Sequence, residues 1–162
     1  MHSGLSCASR AWRPAVAPVS ARTLGGRNAV PLEVVAVKTI DHLILKVNDL
    51  DESVRFYQDV LGFEYAGTDG PFTVMRVSPA FQLQLAPFGT AGMEHYAFAL
   101  SRAEFDSVLA KLRQAGLPYG PRFDSVGKEE GVGNEVGARG AAPTVYFNDP
   151  NKHLLEVRTY EP

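Results

Sequence analysis

The sequence is short of cysteine, of long apolar runs and, over its first 32 residues, of acidic side chains. The only cysteine is Cys7, so an intrachain disulfide is impossible, and the rest of the chain can hold neither a thiol nucleophile nor a cysteine-based zinc site. No apolar run approaches the roughly 18 residues that span a bilayer, so an integral membrane protein is not expected.

The N-terminal segment differs in composition from the rest of the chain. Residues 1–32 contain four arginines and no Asp or Glu, set among Ala, Ser and Pro. This composition has neither a helical nor a strand period and predicts disorder. It is also typical of an organellar transit peptide, and a translated region upstream of a true start would look the same. We expect a tail over residues 1–35 and a cytoplasmic protein, or an organellar one if the tail is a targeting signal.

The net charge of the chain indicates which classes of partner it can bind. The chain is 45% apolar and 21% charged, ordinary values for one globular domain. All 18 acidic residues lie beyond residue 32, against 12 of the 16 basic ones, so that part carries a net charge of −6. Nucleic-acid binding requires a basic surface. The sequence therefore predicts a small-molecule partner, with no nucleic acid and no membrane.

The chain after the tail repeats one order of elements. In residues 36–90 a strand within 35–47 precedes a helix, which is capped at 48–51 and stopped by Gly62. Three strands follow, at 63–67, 72–78 and 81–86. In residues 91–162 a strand at 95–100 precedes a helix that begins at Ser101, with Glu104 three residues later, and ends at Gly116. Strands are predicted at 117–123, 143–147 and 153–160.

This repeat predicts an α+β fold of two paired βαβββ modules, residues 36–90 and 91–162, within one domain. Neither four-stranded sheet could bury a face alone, so the two modules must associate. Between the second helix and its last strands, residues 124–142 are rich in Gly and charge. We predict a lid over a substrate for this segment, the alternative being a disordered loop.

Three polar residues lie in strand-like runs and have the chemistry of metal ligands. They are His42, His95 and Glu156. Two imidazoles and one carboxylate can hold a divalent ion while leaving coordination positions open for a substrate. Taken separately, the same residues would fit two hydrogen-bonded histidines and one solvent-facing glutamate on unrelated strands.

Three segments together resemble the vicinal oxygen chelate superfamily, which includes glyoxalases, bleomycin-resistance proteins and extradiol dioxygenases. They are Ile40-Asp41-His42-Leu43 with Phe-Tyr-x-x-Val-Leu-Gly-Phe at 56–63, Glu94-His95-Tyr96-Ala97-Phe98, and Tyr-Phe-x-Asp-Pro-Asn at 146–151 running into Leu154-Leu155-Glu156-Val157. The resemblance implies a curved mixed β-sheet that encloses a metal, with flanking helices. His42, His95 and Glu156 stand where the superfamily places its ligands.

The resemblance also implies further site residues. A fourth ligand would lie among residues 81–85, where Gln82 and Gln84 share one strand face. We choose Gln84, the alternative being two glutamines on a solvated face. Tyr146 stands at a substrate-facing, catalytic position and Thr144 at a hydroxyl-bearing one, although Tyr146 would also fit a core aromatic residue. His153 is an odd number of residues from Glu156, so we expect it on the opposite sheet face.

The function that follows is a metal-dependent enzyme that binds a small oxygenated substrate through neighbouring oxygens. The cofactor would be a divalent ion such as Zn, Ni, Fe, Mn or Co, and the reaction an isomerase, lyase, transferase or dioxygenase type. Fosfomycin enzymes carry threonine where this chain has Ile44, extradiol enzymes have a histidine absent from 124–142, and glyoxalase I has an acidic ligand where only glutamine is available. The alternative is a metal-free antibiotic-binding protein of the bleomycin-resistance type.

The metal site could be built in two ways. We expect a homodimer in which His42 of one chain joins His95 and Glu156 of its partner. In the alternative, the two modules of a single chain close on each other.

Overall fold

The computed structural model describes residues 39–162. The tail predicted over residues 1–35 lies outside these residues, as does the beginning of the strand predicted over 35–47. The first module contains β1 (His42–Lys46), α1 (Leu50–Asp59), β2 (Glu64–Asp69), β3 (Phe72–Ser78) and β4 (Phe81–Ala86). The second contains β5 (His95–Leu100), α2 (Arg102–Gln114), β6 (Tyr119–Gly120), β7 (Gly133–Gly137), β8 (Gly140–Asn148) and β9 (Leu154–Thr159).

The strands form one mixed sheet per module. Sheet 1 has the order β1-β4-β3-β2, and sheet 2 has the order β5-β9-β8-β6, with β7 pairing on β8. In each module the first strand runs parallel to the last, and the remaining strands are antiparallel. The predicted α+β fold of two repeated modules is therefore confirmed. No helix among the described residues is long and apolar enough to cross a membrane.

Both helices begin where the sequence places capping residues. Asp49 accepts a hydrogen bond from the Glu52 backbone N–H at the start of α1. At the start of α2, Ser101 and Glu104 form the reciprocal bonds of a capping box. α2 ends just before Gly116, whose φ of 63° belongs to the left-handed region that favours glycine.

The core joins the two modules on the helix-facing sides of the sheets. Tyr57 of α1 stacks on Phe63, and Phe63 contacts Phe98 of β5 edge to face. Aliphatic side chains of β1, β4, α2, β8 and β9 complete one continuous cluster. The opposite sheet faces remain free to carry polar side chains.

The turn between β8 and β9 binds the first module through buried polar groups. The side-chain oxygen of Asn151 accepts from the Asn48 backbone N–H at 2.7 Å, and its amide donates to Ser53 Oγ at 3.0 Å. Tyr57 donates to Asp149 Oδ2 at 2.9 Å. We call these groups the turn clasp. The Asp-Pro-Asn motif thus joins the modules.

The prediction for residues 124–142 needs one correction. They are not a continuous loop and not a disordered one, because residues 133–137 form β7 and the segment from 140 onward already belongs to β8. A role as a lid over a substrate stays a prediction. β7 and β8 pair from Gly133↔Thr144 to Gly137↔Gly140, which leaves a two-residue hairpin loop. Glycine-rich strands lack the β-branched and aromatic side chains that mark a strand in a sequence.

Candidate metal centre

The face of sheet 2 that is turned away from the core carries most of the polar candidates. Glu156 on β9 pairs with Ala97 of β5 on one side and with Tyr146 of β8 on the other. Two residues further along β9, Arg158 pairs with Thr144. Because alternate residues share a sheet face, Glu156, Tyr146, Arg158 and Thr144 lie together. We call this set the module 2 face.

Glu156 is a buried carboxylate with two charged or chargeable neighbours. Its exposed fraction is 5%. Oε2 lies 3.3 Å from His95 Nε2, and Oε1 lies 3.2 Å from Arg158 Nε. Two ligand atoms bound about 2.1 Å from one ion are separated by roughly 3.0–3.4 Å. His95 and Glu156 therefore have a spacing that suits two neighbouring ligands of a divalent metal.

Tyr146 lies beside this pair. Its ring centroid is 6.1 Å from that of His95. Burial and the negative charge of Glu156 raise the pKa of Tyr146 to about 12. At neutral pH the phenol keeps its proton, so Tyr146 can donate a hydrogen bond towards a substrate oxygen.

Thr144 and Arg158 form a buried support behind Glu156. Arg158 Nη2 donates to Thr144 Oγ1 at 3.0 Å, and Thr144 donates to the Ala142 carbonyl at 2.7 Å. The hydroxyl of Thr144 is therefore engaged inside the protein, and its role as a substrate contact stays a prediction. Arg158 was missed at the sequence level, although its offset of two residues from Glu156 places it on the same strand face.

The first module holds His42 and Gln84 on the matching face of sheet 1. His42 Nδ1 lies 2.8 Å from the carboxylate of Asp41. A carboxylate that accepts one ring N–H leaves the other ring nitrogen free to bind a metal. The structure thus gives His42 the partner arrangement that metal-binding histidines commonly have.

Pairing register relates Gln84 to Glu156. Glu156 lies two residues beyond the β9 residue that pairs with His95. Gln84 lies two residues beyond the β4 residue that pairs with His42. Each module therefore sets its histidine and its second polar side chain at the same offset across parallel strands. Gln84 is also more buried than Gln82, and both features favour Gln84 as the equivalent position.

A single chain does not bring the predicted trio together. His95 and Glu156 meet on sheet 2, whereas His42 belongs to sheet 1. Over residues 39–162, no group of three His, Cys, Asp or Glu side chains is placed to hold one metal ion. The single-chain version of the site is not formed in this structure.

His153 has a structural place. Its ring is fully buried, with Nε2 2.8 Å from the Lys46 carbonyl and Nδ1 accepting from the Glu94 backbone N–H at 3.3 Å. Both ring nitrogens are therefore engaged by backbone groups of the two modules. His153 therefore connects the start of β9 to both modules.

A cleft of about 640 Å³ runs along β5. It is lined by the length of that strand and by apolar side chains of the first module, including Leu43, Phe63 and Phe81. Glu156 and Tyr146 are not among its lining residues. In the described part of the chain, β1 and β5 each pair on one side only, so the two strands that carry His42 and His95 both have a free edge.

Comparisons with known proteins agree with this architecture. The profile of the Glyoxalase/Bleomycin resistance protein/Dioxygenase superfamily matches residues 39–157. Virulence protein STM3117 of Salmonella typhimurium is 26% identical over 136 residues, covering 76% of this chain and 85% of that protein. Metallothiol transferase FosB of Lysinibacillus sphaericus is 27% identical over 137 residues, covering 76% and 83%.

Among solved structures, Oxidase ChaP-H2 aligns with a TM-score of 0.66 at 30% identity, covering 75% of this chain and 93% of that one. The relatives thus include a transferase and an oxidase on one scaffold. The family match extends over both modules and includes His42, His95 and Glu156. The chain belongs to the glyoxalase, bleomycin-resistance and dioxygenase superfamily.

Proposed function

We propose that this protein is a metal-dependent enzyme whose site is shared between two chains of a homodimer. His42 of one chain would meet His95 and Glu156 of the other, with Gln84 beside His42 as a fourth, neutral ligand. The spacing of 3.3 Å between His95 Nε2 and Glu156 Oε2 carries the proposal. A buried carboxylate facing an imidazole nitrogen supplies two of the three ligands of a two-histidine, one-carboxylate site.

The free edges of β1 and β5 support the dimer. If β1 of one chain lies beside β5 of its partner, sheet 1 of the first chain continues into sheet 2 of the second. His42 and His95 would then be on neighbouring strands of one extended sheet. Unpaired strand edges favour such additions because their backbone N–H and C=O groups are left without partners.

The bound ion would supply Lewis-acid stabilisation of substrate oxygens at its open positions. The residues of this chain would orient the substrate. Tyr146 keeps its proton and would donate a hydrogen bond to an oxygen that gains negative charge. A small molecule with two neighbouring oxygens is therefore the substrate class. The metallothiol transferase relative supports attack by a thiol, and the oxidase relative supports oxidation.

A metal-free binding protein is the second candidate. One observation favours it: Glu156 already has two partners in its own chain, with the Arg158 guanidinium Nε at 3.2 Å and the His95 imidazole Nε2 at 3.3 Å. A protonated His95 would form an ion pair with Glu156 at that distance. Such a protein would sequester a ligand without chemistry.

Metal content separates the two candidates. Protein purified without added metal, then loaded with Mn, Zn, Ni, Fe or Co in turn and desalted, should retain about one ion per chain. The Glu156→Ala variant should retain none. A Glu52→Ala variant, which removes an exposed carboxylate of α1, is the control and should bind as the wild type does. Absence of specific binding for every ion would contradict the metalloenzyme.

A further inference from the structure

Arg158 is held from several directions by Thr144 of the module 2 face and by the β7 hairpin. Its side chain is buried, and Nη2 donates to Thr144 Oγ1 and to the Glu135 carbonyl of β7. The guanidinium also lies 5.4 Å from the Tyr160 ring centroid. A planar guanidinium that meets several partners at once is fixed in orientation in a way that a lysine ammonium is not.

One atom of this group lacks a partner. Arg158 Nε is buried and forms no hydrogen bond to any group of residues 39–162, although it points to within 3.2 Å of Glu156 Oε1. Leaving a buried charged donor unsatisfied is costly. The Glu156 carboxylate lies within ion-pair distance of this atom and is a partner of opposite charge for it.

Gly137 makes this arrangement possible. A Cβ built on Gly137 would lie 1.2 Å from Arg158 Nη1 and 2.3 Å from Arg158 Cζ. Any other residue at this position must displace the guanidinium or lift β7 from β8. A glycine that lets two groups approach closely is a packing requirement. The β7 hairpin and the orientation of Arg158 are therefore linked.

From these contacts we propose that Arg158 is a positioning residue for Glu156, and that Gly137 of the β7 hairpin keeps Arg158 in place. Arg158 holds Oε1 of Glu156, so that Oε2 faces His95 and is available to a metal. This inference rests on the proposed metal site. It adds a role for the hairpin, which lies outside the predicted ligand set.

Charge and orientation act in opposite directions on metal affinity. The positive charge of Arg158 repels a divalent cation, whereas a correctly oriented carboxylate favours it. Two variants keep the charge but lose the geometry: Arg158→Lys replaces the fork by a point charge, and Gly137→Ala pushes the guanidinium away. Arg158→Met removes both contributions.

The experiment measures Mn²⁺ affinity of the full chain by electron paramagnetic resonance titration, with thermal unfolding as the folding check. Arg158→Lys and Gly137→Ala should each weaken binding about 10-fold, the lower end of the range for lost outer-sphere partners. Arg158→Met should weaken it less than Arg158→Lys, because the repulsion also disappears. Gly137→Ala should have no further effect in the Arg158→Met background.

Two controls and two contrary results complete the test. Val136→Ala on the same hairpin and Arg139→Met, an arginine over the Tyr160 ring, should bind Mn²⁺ as the wild type does. Wild-type affinity in folded Arg158→Lys would overturn the positioning role and show that Arg158 acts through charge alone. If the wild type binds no divalent metal, the proposed function fails and this inference fails with it.

Discussion

The two modules share one scaffold but differ in the side chains that they place on it. Each module pairs its first and last strands in parallel and sets a histidine and a polar side chain at the same register offset. In the first module that polar side chain is the amide of Gln84, and the strand residue paired with it is Val74. In the second it is the carboxylate of Glu156, paired with Tyr146.

In the proposed site this difference would give the two modules distinct tasks. The module 2 face combines an anion, a buried cation and a protonated phenol, which can orient and polarise a substrate. On the matching face of sheet 1, the candidate ligands His42 and Gln84 lie near the apolar Val74, and the charged side chains there are the exposed ion pair of Arg76 with Glu64. Duplication of the scaffold therefore fixes where the candidate ligands stand, and the side chain at each position decides whether that ligand is an amide or a carboxylate.

The largest expected effect is on metal affinity, and it should differ between the two polar candidate ligands Glu156 and Gln84. Glu156→Ala should abolish metal binding, a loss beyond the roughly 100-fold that a missing outer-sphere partner can cost. Gln84→Ala should weaken it by only about 10-fold, because a neutral amide oxygen contributes no charge. Both affinities are measured by the same Mn²⁺ titration. Equal losses would show that the two modules contribute equally to metal affinity and would contradict the difference between them.

The turns that join the last two strands of each module also differ, in the number of hydrogen bonds that their side chains make. Asp149 accepts from Tyr57 and from the backbone N–H groups of Asn151 and His153. Asp149→Ala leaves these buried donors unpaired and should lower the free energy of unfolding by about 3 kcal/mol. In the equivalent turn of the first module, Ser78→Ala should change it by less than about 0.5 kcal/mol. Chemical denaturation measures both.

The buried Tyr57 of the turn clasp should make the stability of the protein depend on pH. Burial and the charge of Asp149 raise the pKa of Tyr57 well above its usual value. The unfolded chain releases this proton near pH 10 while the folded chain retains it, so stability is present below that pH and is lost as pH rises further.

The Tyr57→Phe variant tests this linkage. It should lose about 1–2 kcal/mol at neutral pH, because a hydrogen bond to a carboxylate disappears. Above pH 10 its unfolding free energy should fall less steeply than that of the wild type. Tyr65→Phe, which alters an exposed tyrosine, is the matched control. If the unfolding free energies of Tyr57→Phe and the wild type fall equally steeply above pH 10, the link between the pKa of Tyr57 and stability is contradicted.

The smallest expected effect concerns the helix caps. α2 begins with a reciprocal capping box and α1 with a single side-chain bond. Ser101→Ala should lower the free energy of unfolding by about 1 kcal/mol, and Ser107→Ala, an exposed change within α2, should leave it almost unchanged. A cost for Ser101→Ala that matches this control would mean that the box adds nothing to stability.

The repeated elements could be predicted from the sequence because their signals are local. Asp49, Ser101, Gly62 and Gly116 mark helix ends by their own chemistry, and the boundaries of β3, β4 and β5 agree with the predicted ones. β6 is shorter than predicted, and β7 was missed because Gly133 and Gly137 hide its strand character.

The site was predictable only in part. His42, His95 and Glu156 were identified through the resemblance, and the structure pairs two of them. The role of Arg158 depends on contacts with Glu135 and Gly137, more than 20 residues earlier in the chain. Contacts of that separation leave no periodic trace in a sequence. The separation of His42 from Glu156 on two sheets likewise follows from tertiary packing.

Mixing two inactive variants tests the shared site most directly. His42→Ala and Glu156→Ala chains are unfolded together, refolded and assayed for bound Mn²⁺. Random pairing makes half of the dimers mixed, and each mixed dimer has one intact site, so about a quarter of wild-type binding should return. A mixture of His95→Ala and Glu156→Ala, both in the second module, should restore none. No recovery in the first mixture, with wild-type protein refolding fully, would contradict a site shared between chains.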